Sequence, residues 1–152
     1  TAFSYRYADP ELARIFVGVA LREGEREKSD LIRRVRSGGF EVTDLSDNET
    51  AKTHTRYLVG GRARSVRHER IFRFEFPERP GALLRFLESL HPSWNVTLFH
   101  YRYHGADYGR VLAGIEAPPE QGGELRRALD ALAYPYQEVT DDESVRLFLR
   151  EG

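Results

Sequence analysis

TAFSYRYADPELARIFVGV, residues 1–19, returns without a gap as TLFHYRYHGADYGRVLAGI at residues 97–115. The offset of 96 residues sets Phe3 on Phe99, Tyr5 on Tyr101, Arg6 on Arg102, Tyr7 on Tyr103, Arg14 on Arg110 and Gly18 on Gly114. After a shift of two residues the match resumes, FEVTDLSDNE from Phe40 lying on YPYQEVTDDE from Tyr134. Self-similarity at a fixed offset marks a duplicated unit, and the two copies are assigned together.

The later copy is the fuller one. In IFRFEFPE from Ile71, three phenylalanines, Phe72, Phe74 and Phe76, alternate with Arg73 and Glu75, the period of a half-buried strand. A helix is predicted next, with Pro80 in its first turn and Leu83, Phe86, Leu87 and Leu90 at helical spacing. The strands NVTLFHYRYHG and YGRVLAGIEA follow, joined near Gly105, then the helix EQGGELRRALDALA and the strand PYQEVTD. The order βαββαβ predicts a ferredoxin-like α+β layer with both helices on one face of an antiparallel sheet.

The earlier copy enters at its second strand, as FSYRY, ARIFVGVAL, the helix KSDLIRRVRSG and FEVTDLS. Its opening strand and helix are expected upstream of Thr1. The opening strand is central in such a sheet, so its loss is expected to leave two strands with open edges. Asp47 and Asp142 are candidate N-caps for a short closing helix in each copy. The chain thus divides into a first unit at 1–59, N-terminally incomplete, a linker at 60–70 and a complete second unit at 71–152. Arg62, Arg64, Arg67 and Arg70 of the linker are either a solvated connector or a binding patch, and charge runs usually face water.

Composition narrows the function. With 40% hydrophobic and 31% charged residues, 152 residues suit a globular domain. No stretch approaches the roughly 18–20 apolar residues of a membrane span, and no export signal opens the chain, so the cytoplasm is the expected compartment. A formal net charge of −1 speaks against a nucleic-acid partner. The absence of cysteine excludes disulfides, cysteine-ligated zinc and thiol catalysis. His100 and His104 would stand roughly 13 Å apart along one strand, too far for a shared metal. Without methionine, Thr1 is no initiator residue, and the chain is expected to be a fragment.

FEFPERPGALLRFL, WNVTLFHYR and DYGRVL resemble the C-terminal regulatory region of biosynthetic threonine deaminases, the threonine ammonia-lyases. The earlier copy agrees through YRYAD, IFVGV, VTDLSDNE and RYLVGG, so that the resemblance runs over essentially the whole chain. It implies two ACT-like subdomains behind a catalytic domain that uses pyridoxal phosphate and that this chain lacks. It further implies that isoleucine inhibits, that valine relieves the inhibition, and that both act on the subdomains. No catalysis and no cofactor are then expected of this chain. Its only lysines, Lys28 and Lys52, lie in charged helical contexts without a glycine-rich phosphate loop nearby.

An amino-acid effector needs donors for its carboxylate, an acceptor for its ammonium and an apolar pocket. PERPGALL offers the backbone N–H groups of Gly81, Ala82 and Leu83 at a helix start, with Gly81 permitting close approach. Glu78 is the candidate for the ammonium, and Leu83 and Leu87, one turn apart, for the pocket wall. The alternative is that Pro80 and Gly81 only shape a turn and the leucines are core. A second constellation joins Phe3, Tyr5 and Tyr7 with Phe99, Tyr101 and Tyr103, where each buried hydroxyl would need a partner. The resemblance implies effector contacts at Tyr5 and Tyr101, with Arg6 and Arg102 adjoining. Gly18 and Gly114, inside strand patterns, suggest that another sheet packs close. Two rival functions stay open, an oligomerisation module with a vestigial site and an RNA-binding ferredoxin-like domain. The open edges and aromatic strand faces predict a homo-oligomer.

Overall fold

The computed structural model describes residues 2–52, 60–103, 105 and 107–150. Six strands, β1 (Ala2–Arg6), β2 (Ile15–Gly18), β3 (Glu69–Pro77), β4 (Asn95–Arg102), β5 (Tyr108–Glu116) and β6 (Tyr136–Glu138), form one sheet in the order β2-β1-β4-β5-β3-β6. All five pairings are antiparallel. Helices α1 (Glu25–Ser37), α2 (Ala82–Ser89) and α3 (Gly122–Leu132) complete the α+β architecture. The second copy is a whole ferredoxin-like unit, β3-α2-β4-β5-α3-β6 along the chain and β4-β5-β3-β6 across the sheet.

Its core follows from periodicity. Period two turns Phe72, Phe74 and Phe76 to one face, where they meet Phe86 of α2 and the stripe Leu125, Leu129 and Leu132 of α3. The ring of Phe86 lies 5.3 Å from both Phe74 and Phe76. Burying a side chain of this kind stabilises by about 1.5–3 kcal/mol. The other face carries a smaller cluster of Ile71, Leu98 and Val145, with Leu112, Val139 and Leu149 packed against it. Val145 and Leu149 belong to a short helical segment, Glu143–Val145 then Arg146–Arg150, whose N-cap Asp142 accepts a hydrogen bond from Ser144 N as expected.

The copies join through equivalent strands. β1 pairs with β4 in the register Phe3 with Tyr101, Ser4 with His100 and Tyr5 with Phe99. Ser4 and His100 are equivalent positions of the repeat, so a local twofold axis passes between them. One sheet therefore runs through both copies. Thr97 is an extra residue in β4, a bulge between Val96 and Leu98, and its carbonyl accepts a hydrogen bond from Tyr7 N at 2.7 Å.

The first copy is less filled. FEVTDLS forms no strand, and no described strand stands beside it to pair with. Among the described residues the outer edge of β2 is unpaired, and Ile15 and Val17 remain 53% and 51% exposed. No residue of α1 is fully buried. Asn48, not Asp47, accepts the capping hydrogen bond from Ala51 N; the rest of that predicted helix falls on 53–59, outside the described residues. Pro80 also stands outside its helix, since Gly81, with φ 85°, is the N-cap of α2. β3 begins at Glu69, within the predicted linker, whose Arg62, Arg64 and Arg67 are exposed as a solvated connector would have them, while Arg70 is half-buried and grips Glu138 through two hydrogen bonds of 2.9 and 2.7 Å.

Among the described residues no second sheet packs on either of the glycines expected to receive one. A Cβ on Gly18 would make only ordinary contact with Ala2, whereas one on Gly114 would come within 2.6 Å of Thr97 Oγ1 and 2.8 Å of Glu69 Oε1. Gly114 leaves room for a buried polar group of its own sheet.

Candidate functional site

The face of β1 and β4 beneath the helices gathers most of the candidate residues. Phe99 is buried in the main core, and Phe3, Tyr5, Tyr101 and Leu83 pack against it. Phe3 and Phe99 meet edge to face, with ring centroids 5.5 Å apart. Tyr5 and Tyr101 stand on the opposite diagonal of the same four-residue patch, since each tyrosine faces the other strand's phenylalanine.

Tyr101 donates its hydroxyl hydrogen bond to Glu78 Oε1. Burial, and then the carboxylate itself, push this hydroxyl well above the ordinary phenol range. Glu78 is fixed in turn by its backbone N–H, which donates to Asp107 O at 3.0 Å. The α2 start lies three residues on. Its Ala82 amide already donates to Arg79 O at 3.3 Å, and Tyr134 Oη ties down the Ala82 carbonyl at 3.2 Å. Leu83 lines the core side of the helix, while Leu87 is 44% exposed. Tyr5 has a raised hydroxyl pKa, from burial first and the neighbouring Tyr7 next.

The two arginines do not join this group. Arg6 projects to the opposite face, where its side chain is 4% exposed and pairs with Glu69, 7% exposed. All five guanidinium N–H donors are accounted for: Nε to Gly61 O at 2.8 Å, Nη1 to Glu69 Oε1 and Thr97 O, and Nη2 to Glu69 Oε2 and Leu149 O at 3.2 and 3.1 Å. Thr97 Oγ1 donates to the same carboxylate. Arg102 alternates to that side as well, opposite Ala2, and is exposed. His100, between them, has its pKa lowered by burial and by Arg102.

The arrangement suits binding rather than covalent chemistry. Pyridoxal phosphate does not fit the residues present: Lys28 is tied to Glu25 and Asp44 at 2.9 and 3.2 Å, Lys52 to Glu49 at 3.1 Å, and both sit on helical surface. No group of residues suited to a metal ion occurs among the described residues, and His104 lies outside them. The aromatic face that RNA stacking would require is covered, since Phe72, Phe74, Phe76 and Phe99 lie in the core. No described helix is long and apolar enough to cross a membrane. Two open clefts among the described residues lie elsewhere, one of about 410 Å³ beside Arg73 and Arg110, the other of about 260 Å³ between His68 and Arg146.

Two parts of this arrangement escaped sequence reasoning. Glu69 sat in the stretch taken as linker, and no periodicity links it to Arg6, 63 positions away. Gly109 was passed over, although a Cβ there would lie under 3.0 Å from both Tyr101 Cε2 and Glu78 Oε1. The signal for Gly109 was available, as a glycine inside a strand pattern beside the repeated tyrosine.

Comparison with known proteins agrees with the repeat and its motifs. The chain is 51% identical over 150 residues to the biosynthetic L-threonine dehydratase of Haemophilus influenzae, covering 99% of this chain and 29% of that protein. It is 48% identical over 149 residues to the Escherichia coli enzyme of the same name, covering 98% and 29%, and 48% identical over 158 residues to the mitochondrial threonine dehydratase of Saccharomyces cerevisiae, covering 99% and 27%. The chain thus spans less than a third of the length of these relatives. The family model described as the C-terminal regulatory domain of threonine dehydratase matches residues 1–55 and 60–149, and the chain belongs to that family.

Proposed function

We propose that the chain is the effector-sensing module of a biosynthetic threonine ammonia-lyase, binding isoleucine as inhibitor and valine as activator. The observation that carries this reading is the Tyr101–Glu78 pair beside the start of α2. It combines a carboxylate for an ammonium group, a helix start for a carboxylate and the apolar side of Leu83 and Phe99. Tyr5, on the equivalent strand, marks a second site. Gly81, Ala82 and Pro80 shape the first and Leu87 forms its exposed rim, while Arg6 and Arg102, on the far side of the sheet, take no part in it. Catalysis, and the pyridoxal phosphate it needs, belong in this reading to a separate catalytic domain, which is the module's partner. We assign residues 1–59 and 69–152 to two ACT-like subdomains joined by 60–68, since β3 already begins at Glu69.

Isothermal titration of the chain with isoleucine and with valine tests the reading. Saturable heat with either amino acid, absent with alanine, is expected. Its absence with both would favour the second reading, a module that only assembles protomers. That reading draws on the open edge of β2 and on the exposed Ile15 and Val17. The two roles are compatible, and we assign a homo-oligomer on the same ground. Sedimentation equilibrium at micromolar concentration is expected to fit a dimer, and a profile fitting monomer alone would remove that assignment.

A further inference from the structure

We propose that the outer edge of β2 is the docking place of a further β-strand supplied by a longer polypeptide, and that this strand carries a carboxylate which pairs with Arg102 as Glu69 pairs with Arg6. The docking place does not depend on the effector function proposed above.

The twofold relation between β1 and β4 sets the terms. On the far face of the sheet one row runs Arg6, Leu98, Gly114 and Ile71 across β1, β4, β5 and β3. Glu69, two residues before Ile71 and on the same face, reaches over Gly114 to Arg6 and to the hydroxyl of Thr97. Gly114 makes this reach possible, since a Cβ there would come within 2.8 Å of Glu69 Oε1. The mirrored row runs Arg102, Ala2 and Gly18 across β4, β1 and β2, and no described strand continues it. Arg102, Gly18 and Thr1 hold the places of Arg6, Gly114 and Thr97 in the repeat. Glu69 alone has no counterpart within the chain.

An acidic strand beside β2 accounts for what the first copy leaves open. The φ of Gly18 is not positive, so its backbone does not require glycine. A Cβ on Gly18 would find Ala2 as its nearest neighbour, at 3.6 Å, so no described residue occupies the place that Glu69 and Thr97 take over Gly114. Arg102 is exposed, whereas the Arg6 side chain is 4% exposed. The other face of β2 asks for an apolar cover. Ile15 and Val17 hold the places of Val111 and Ala113, which pair with Phe74 and Phe72 of β3 and are 2% and 0% exposed. The occupant is thus a strand with apolar residues alternating toward the helices and an acidic residue near its start on the far face. The chain covers 29% of the Haemophilus influenzae relative, and a polypeptide of that length has ample chain to supply one strand.

A synthetic peptide of residues 67–90, the strand and helix that open the second copy, serves as the probe, and the anisotropy of a fluorescent label on it reads the docking. Saturable binding to the unsubstituted chain is expected. Glu69→Gln in the peptide should weaken it by about tenfold, because a buried guanidinium then loses its carboxylate. With Arg102→Leu in the chain, the two peptides should bind alike. Gly18→Ala should leave the urea midpoint of the chain unchanged, since its methyl meets Ala2 at ordinary distance, yet weaken binding of the glutamate peptide. That variant carries the test if Arg102→Leu fails to fold. Absence of saturable binding, or equal affinity of the two peptides for the unsubstituted chain, would overturn the proposal. So would a dimer in sedimentation that excess peptide leaves intact, which would give the edge to a second copy of this chain.

Discussion

Replacing Arg6 with leucine removes five hydrogen-bond donors from a site that water scarcely reaches. Glu69 would be left with its carboxylate buried and only the Thr97 hydroxyl to serve it. Breaking a buried pair by deleting one partner costs about 3–5 kcal/mol, because the remaining charge cannot recover its hydration. That is a large part of the roughly 5–15 kcal/mol by which a domain is stable. With a urea m-value of about 2 kcal/mol/M, the unfolding midpoint should fall by about 1.5–2.5 M. Adding Glu69→Gln to Arg6→Leu should restore part of the loss, since no charge then stays buried. The assay is urea unfolding followed by circular dichroism for the parent, both single variants and the double variant. A midpoint shift below about 0.5 M for Arg6→Leu would put the pair in the range of solvent-exposed salt bridges and refute the reasoning. So would a double variant less stable than Arg6→Leu alone.

Three further outcomes are expected. Gly114→Ala should destabilise by about 1–3 kcal/mol, measured in the same unfolding assay, because its methyl would press on Thr97 Oγ1 and Glu69 Oε1; a neutral effect would mean that the pocket around that carboxylate is loose. Glu138 has its pKa lowered below the ordinary 4.5, by Arg70 first, so its contribution is complete above that value and fades as pH falls through the lowered one. The gap in urea midpoint between the parent and Glu138→Gln should thus narrow from neutral pH to about pH 3, and a constant gap would sink the assignment. Incubation of the chain with threonine and pyridoxal phosphate should yield no 2-oxobutanoate above background, because both lysines are held in surface ion pairs; product formation would reverse that expectation.

The second copy was legible because its signals are local. Alternating phenylalanines, a proline-glycine turn and leucines at helical spacing each act within a dozen residues, and β3, α2, β4, β5 and α3 appear within a few residues of their expected bounds. FEVTDLS was misjudged for the opposite reason: it repeats PYQEVTD in sequence, but a strand needs a neighbour to pair with, and only β6 has one. The aromatic half of the site was readable from the repeat. The far side of the sheet was not, because alternation sends Arg6 away from Tyr5 to partners on the linker, β3 and the C-terminal segment, none of which carries a shared motif. What a missing side chain makes possible was hardest to see, as at Gly109, where the sequence displays only an absence.

The pairing of β1 with β4 places the two equivalent tyrosines on adjacent strands, diagonal to each other and roughly 7–8 Å apart. The edge-to-face rings of Phe3 and Phe99 cross that diagonal. A ligand resting on either tyrosine would share that wall with a ligand on the other. Under the proposed effector function, two such binding events would be coupled through the paired strands themselves, whatever the length of the linker.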